Sequence, residues 1–158
     1  MADPVPELRR PIDPDDDLET AKAAIGGWLA ALEIVDLAPV LDTPVAVIAT
    51  NVFHRAVAFS PSSSGFPTGP LRCAAYVNGT PCETAPATGD VAGRLLAAAG
   101  VLSGVGERID AGDRIITGSI VLVPVGPNDD VVAEVAGLGT VQLSIAGRSR
   151  ELLEHGDG

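Results

Sequence analysis

Asn78-Gly79 narrows the folds open to this chain more than any other feature of its sequence. An Asn-Gly pair takes the two positive-φ positions of a type I′ turn, whose twist suits a β-hairpin. The flanking runs, 71–77 and 80–84, have strand composition and are predicted to pair antiparallel. In the simplest register Val77 lies opposite Thr80, Ala75 opposite Cys82 and Cys73 opposite Thr84. The two cysteines are then diagonal neighbours rather than partners, and both are expected as free thiols. Further strand-length segments follow at 114–117, 119–125, 130–136 and 140–145, punctuated by Gly112, Gly118, Pro127 and Gly137-Leu138-Gly139. The second half of the chain therefore reads as short strands.

Helical signals stand before and after the hairpin. Asp16 or Asp17 can cap a helix running to about Leu32, with Leu18, Ala21, Ile25, Trp28, Leu29 and Leu32 along one face. Gly26-Gly27 would weaken it by about 1 kcal/mol per glycine relative to alanine, with Trp28 anchoring it by burial. A short strand is expected at 33–37 and another at 56–59, and 60–70 has loop composition. The apolar stretch 44–54 fits a helix or a buried strand, since periodicity does not separate the two. Asp90 is a good N-cap for a helix over 91–102, with Val91, Leu95, Leu96 and Ala99 inward and Arg94 outward. The acidic, proline-rich residues 1–16 read as an extended lead-in, 17–147 as a single domain, and 148–158 as a polar tail. The fold class is α+β, mainly β, with two or three flanking helices.

Charge and composition exclude several functions. Ten basic residues stand against 21 acidic ones, a net charge of −11, which would repel nucleic acid and anionic membranes alike. Aromatic residues make up only 3%, too few for a base- or sugar-stacking platform. No apolar run approaches the ~18 residues that span a bilayer. The N-terminal MADPVPELRRPIDPDDD lacks an apolar core behind its arginines, so a cytoplasmic location is expected. No Cys/His metal spacing is present, the histidines being His54 and His155, and Lys22 is the sole lysine.

Two features carry chemistry. Glu33 sits in A-L-E-I-V-D (31–36), and an acid among Leu32, Ile34 and Val35 is expensive to bury without a cation or donor beside it. In Thr117-Gly118-Ser119, a glycine between two hydroxyl residues lets backbone approach a ligand closely. These segments stand in order with A-T-N-V (49–52), V-N-G (77–79), A-G-D-R-I-I-T-G-S (111–119) and G-L-G (137–139). The collinear set, from Ala31 to Thr140, resembles the core of the 2-hydroxypentadienoate hydratase branch of the fumarylacetoacetate hydrolase superfamily. The resemblance implies that superfamily's β-sandwich or roll. It also makes Glu33 one of three carboxylates that hold magnesium or manganese there. Asn51 matches the family's asparagine, and Thr117, Gly118 and Ser119 match the turn that borders a keto-acid pocket.

The departures limit what the resemblance carries over. The family's other two metal carboxylates lie in an E-x-E strand upstream of the helix that leads into A-L-E-I-V-D. The upstream acids here are Asp3, Glu7, Asp13, Asp15, Asp16, Asp17 and Glu19, and none is expected in an apolar strand. The family's proton-moving lysine has no match either, because Lys22 falls on the polar face of its helix. No cofactor is therefore required, and magnesium or manganese is the ion the resemblance would bring to Glu33. The reading is a diverged hydratase-like lyase or isomerase acting on a small oxo- or enol-acid by hydration, decarboxylation or cyclisation. Glu33, His54 and Ser119 are its candidate catalytic residues, and Asn51, Thr117, Gly118 and Ser119 its candidate substrate contacts. Two alternatives stay open: a non-catalytic or half-site subunit assembled with a full-length paralogue, and a small-molecule binding protein. Homo-oligomers, or hetero-oligomers with such a paralogue, are the expected assemblies.

Overall fold

The first strand forms where proline argued against one. The computed structural model describes residues 1–37, 43–49, 51–65, 71–86, 89–118 and 120–147. In it, β1 (Ala2–Leu8) pairs antiparallel with β2 (Ile25–Val35), with Asp3 opposite Ala31 and Val5 opposite Leu29. Residues 1–16 are thus not a lead-in outside the domain, since Ala2, Val5, Leu8 and Ile12 are all buried. Met1 and Glu33 exchange both backbone hydrogen bonds, at 2.8 and 3.0 Å. Antiparallel alternation then turns the odd-numbered amides of β1 toward β2 and the even-numbered positions away. Pro4 and Pro6 withhold donors only from the far edge, where 114–121 runs past through isolated bridges at Arg114 and Val121. A ladder that lacks its donors does not become regular. Of the strands expected at 114–117 and 119–125, the described residues keep the single bridges at Arg114 and Val121.

Helix α1 (Leu18–Ala24) is capped by Asp17, as expected, but ends eight residues short of Leu32 because β2 has begun at Ile25. The glycine pair is a packing requirement rather than a weak spot in a helix. A Cβ on Gly26 would come 2.6 Å from the Arg9 Cβ, and one on Gly27 would strike the Ser62 hydroxyl. From Trp28 to Leu32 no residue is more than 7% exposed. A strand buried on both faces reads as a continuous apolar run, which sequence periodicity cannot tell from a buried helix. Strand β3 (His54–Phe59) lines the other edge of β2, and the ambiguous stretch before it contains α2 (Pro44–Ala49).

The second sheet has the order β5-β4-β6-β7, from β4 (Arg72–Val77), β5 (Thr80–Pro86), β6 (Asp130–Val135) and β7 (Gly139–Ser144). Asn78 and Gly79 take the expected left-handed conformations, at φ 51° and 76°. Beyond the turn the expected register slips by one, because Cys82 is an inserted bulge residue: Tyr76 pairs with Pro81, Ala75 with Glu83 and Cys73 with Ala85. Cys73 is buried, Cys82 is exposed, and both are free.

The sheets stack face to face. Ala2, Trp28, Ala30 and Leu32 meet Leu71, Cys73, Ala75, Val131, Ala133 and Val135 in the largest apolar cluster. Helix α3 (Val91–Ser103) starts at Asp90, whose Oδ1 accepts the Gly93 amide at 3.0 Å. Its Leu95 and Ala99 pack with Leu8, Ile12, Ala24 and Ile109. The fold is α+β and mainly antiparallel sheet, with three short helices among the described residues. None of these is long and apolar enough to cross a membrane.

Candidate functional site

The chemistry gathers on the face of the first sheet turned away from the second. Strand registers align Asp3, Val5 and Glu7 of β1 with Leu29, Ala31 and Glu33 of β2 and with Val57 and Phe59 of β3. Val5, Leu29 and Ala31 form a small apolar centre with Val57, Phe59 and Ile116. Acids flank it at both ends: Glu7 at one, Asp3 and Glu33 at the other.

Asp3 is the acid that sequence reasoning missed. It is only 4% exposed and is the one buried acid among the described residues. Its Oδ1 accepts the Ile120 amide at 2.9 Å. Burial pushes its carboxyl up to about 6, and the Glu33 charge adds to that rise. The Ile120 hydrogen bond, the Met1 ammonium and Arg94 oppose it without prevailing. An A-D-P-V-P-E-L segment conceals a strand because proline dominates its reading, yet its period-2 placement of Asp3, Val5 and Glu7 was visible.

Glu33 and His54 are brought together as a pair. Glu33 Oε1 lies 2.8 Å from His54 Nδ1, with side-chain exposures of 14% and 32%. The contact depends on a bulge. Glu33 pairs with Val57 and Ile34 with Ala56, but Val35 pairs with His54, leaving Arg55 as the extra residue. The slip brings His54 to the Glu33 side, while Arg55 turns to Asp36 at 3.3 Å.

Just before the bulge, Asn51, Val52 and Phe53 are all left-handed, at φ 54°, 51° and 69°. Such conformations cost on the order of 1–3 kcal/mol each for side chains like these. Three backbone bonds hold the turn: Val52 to Val47 at 3.0 Å, Asp36 to Phe53 at 2.9 Å, and His54 to the Asn51 carbonyl at 3.0 Å. Asn51 is exposed, and its visible part is to set the backbone from which His54 projects.

The Thr117-Gly118 turn stands on the Asp3 side. Arg94 is exposed, as expected, and donates from Nη1 to the Thr117 carbonyl at 3.1 Å. Ser119 lies outside the described residues. The segment is thus tied by Arg94 at Thr117 and by Asp3 at Ile120. A cleft of about 480 Å³ opens beside Trp28, Gly27, Gly89 and the start of α3, and Gly89 is also where Arg94 lies against the backbone.

The donors do not fit the three-carboxylate ion that Glu33 suggested. Asp3 and Glu33 are two carboxylates, and one oxygen of each is engaged, by Ile120 and by His54. The positions two residues from Asp3 are Met1 and Val5, neither a hard oxygen ligand through its side chain. No group of three His, Cys, Asp or Glu among the described residues is placed to hold a metal ion.

Comparison with solved structures supplies the context. No protein-family model matches the sequence. No curated protein matches it. The 4-oxalocrotonate decarboxylase from Pseudomonas putida G7, solved with magnesium and adipate, is similar at 25% identity with a TM-score of 0.76, over 91% of this chain and 59% of that one. The same decarboxylase with calcium and acetate gives 26% identity and a TM-score of 0.78, over 91% and 58%. Fumarylpyruvate hydrolase from Pseudomonas aeruginosa, solved with Mn2+ and pyruvate, shares the fold at 14% identity and a TM-score of 0.67, over 92% and 64%. The chain thus spans less than two-thirds of the length of these neighbours. They are members of the fumarylacetoacetate hydrolase superfamily, and this chain shares their fold over 91% of its length.

Proposed function

We propose that this chain is a diverged lyase or isomerase that moves protons on a small oxo- or enol-acid. The observation that carries the reading is a buried carboxyl, Asp3, raised to about 6 beside the Glu33–His54 pair. An acid poised near neutral pH both gives and takes protons readily. In this reading the Glu33 carboxylate, 2.8 Å away, accepts from Nδ1–H of His54, and Nε2 is the nitrogen that receives a proton. In the proposed step Nε2 takes a proton from the carbon next to the substrate carbonyl. The C–H electrons form the new carbon–carbon double bond, the carbonyl π pair moves to oxygen, and protonated Asp3 delivers its proton there. The product is the enol; reprotonation at another carbon completes an isomerisation. No step is routed through a metal ion.

The test is deuterium exchange into the methyl group of pyruvate, followed by NMR in D2O. The chain is expected to accelerate exchange, and Asp3→Asn and Glu33→Gln to slow it at least tenfold. Exchange unchanged in both variants would remove the site. The count of two carboxylates favours one other reading, a half-site subunit completed by a paralogue. A purified monomer with full exchange activity would rule that out.

A further inference from the structure

Arg94 is oddly placed for a surface cation. In a chain of net charge −11, Arg10, Lys22, Arg55, Arg108 and Arg114 each lie within 3.8 Å of a carboxylate. Among the described residues Arg9, Arg72 and Arg94 have no carboxylate partner at that range, and of the three Arg94 is the one whose charge acts on Asp3. Its guanidinium instead reaches the Thr117 carbonyl, using one of five N–H groups. Two glycines leave it room. A Cβ at Gly89 would come 3.0 Å from Nη2, and one at Gly118 would come 3.5 Å from Nη1. The charge is near enough to Asp3 to lower that carboxyl's proton affinity, though burial outweighs it.

We infer that Arg94 is the residue that selects anionic substrates, receiving the carboxylate of the oxo-acid against the Thr117-Gly118 turn. The inference rests on the proposed function. The Glu33 carboxylate gives the site negative charge of its own, so an oxo-acid would be repelled without a compensating cation. With no third carboxylate to complete a metal site, the side chain that supplies positive charge next to the turn is Arg94. Its remaining donors form the planar fork that carboxylates accept in two-point contact. Arg94 thereby has a second duty beyond holding the turn, namely recognition by charge.

The test compares binding of pyruvate with that of neutral, near-isosteric pyruvamide to the full chain, by calorimetry or ligand-observed NMR. The unmodified protein is expected to prefer pyruvate by about 10- to 100-fold, the range of a charge-assisted contact. Arg94→Gln is expected to bring that ratio close to one, and Arg94→Lys to keep part of it. Thermal melting of both variants should fall only slightly below the parent, because the side chain is exposed and gives the fold one hydrogen bond, to the Thr117 carbonyl. A ratio that survives Arg94→Gln overturns the inference, as does equal weakening of both probes, which would mean that Arg94 only holds the turn. Either result leaves the proposed function standing if deuterium exchange still depends on Asp3 and Glu33. A protein that neither prefers pyruvate nor exchanges its protons refutes both.

Discussion

Strand β1 carries two acids on one face, four residues apart, and they have opposite fates. Glu7 is met by Arg114, whose Nε and Nη2 donate to Oε1 at 2.9 and 2.8 Å. The same guanidinium covers the Phe59 ring at 5.1 Å. Hydrogen bonding from Arg114, with help from Ser62, holds the Glu7 carboxyl below its usual range. Asp3 has no such partner: it is more deeply buried, bonded to one amide, near a second acid, and raised to about 6. One end of the face is a saturated ion pair that fastens 114 to the sheet. The other end is left with unspent proton affinity, and the difference marks where chemistry can occur.

The largest effect expected from breaking this contrast is on turnover. Glu33→Gln should cut pyruvate proton exchange at least tenfold, because a neutral amide, able to donate as well as accept, no longer fixes the tautomer of His54 or stabilises its protonated ring. His54→Ala should act similarly, while Glu7→Gln should leave exchange within about twofold, as measured by the same NMR assay. Next comes stability against pH. The folded Asp3 carboxyl titrates at about 6 against 3.8 in the unfolded chain, so the native state binds more protons between those values. Stability from this group is therefore lost as pH rises through that window and is unaffected below it. Asp3→Asn should raise unfolding free energy at pH 7.5 by on the order of 2–3 kcal/mol, with the gain disappearing near pH 4 in urea melts. That variant would be more stable and less active.

Smaller effects test the scaffold. Gly26→Ala should destabilise by about 1–3 kcal/mol, since the added Cβ meets Arg9 at 2.6 Å. Glu7→Gln should cost no more than about 1 kcal/mol, the range for an exposed ion pair, and the cost should shrink in high salt. A large loss there would show that Glu7 is not the inert half of the comparison.

The sequence disclosed the scaffold unevenly, for physical reasons. The Asn78-Gly79 hairpin and the Asp90 cap were legible because each is a local device: a turn that needs positive φ, and a side chain that accepts an amide three residues on. Glu33 was legible because a charge inside an apolar run is conspicuous. Strand β1 was not, because whether proline interrupts a strand depends on which edge its missing donor faces. Only the pairing with β2 decides that. The end of α1 was hidden because a strand buried on both faces has no periodicity of its own. His54 could be named, but its approach to Glu33 depends on a bulge at Arg55, and bulges answer to partner strands.

Asp3 is the point on which the account turns, and its titration can be followed directly. A carbon-detected NMR titration of the Asp3 side-chain carboxyl should give a midpoint of about 6, moving downward in Glu33→Gln as the neighbouring charge is removed. A midpoint near 3.8 in the unmodified chain, unmoved by Glu33→Gln, would contradict it.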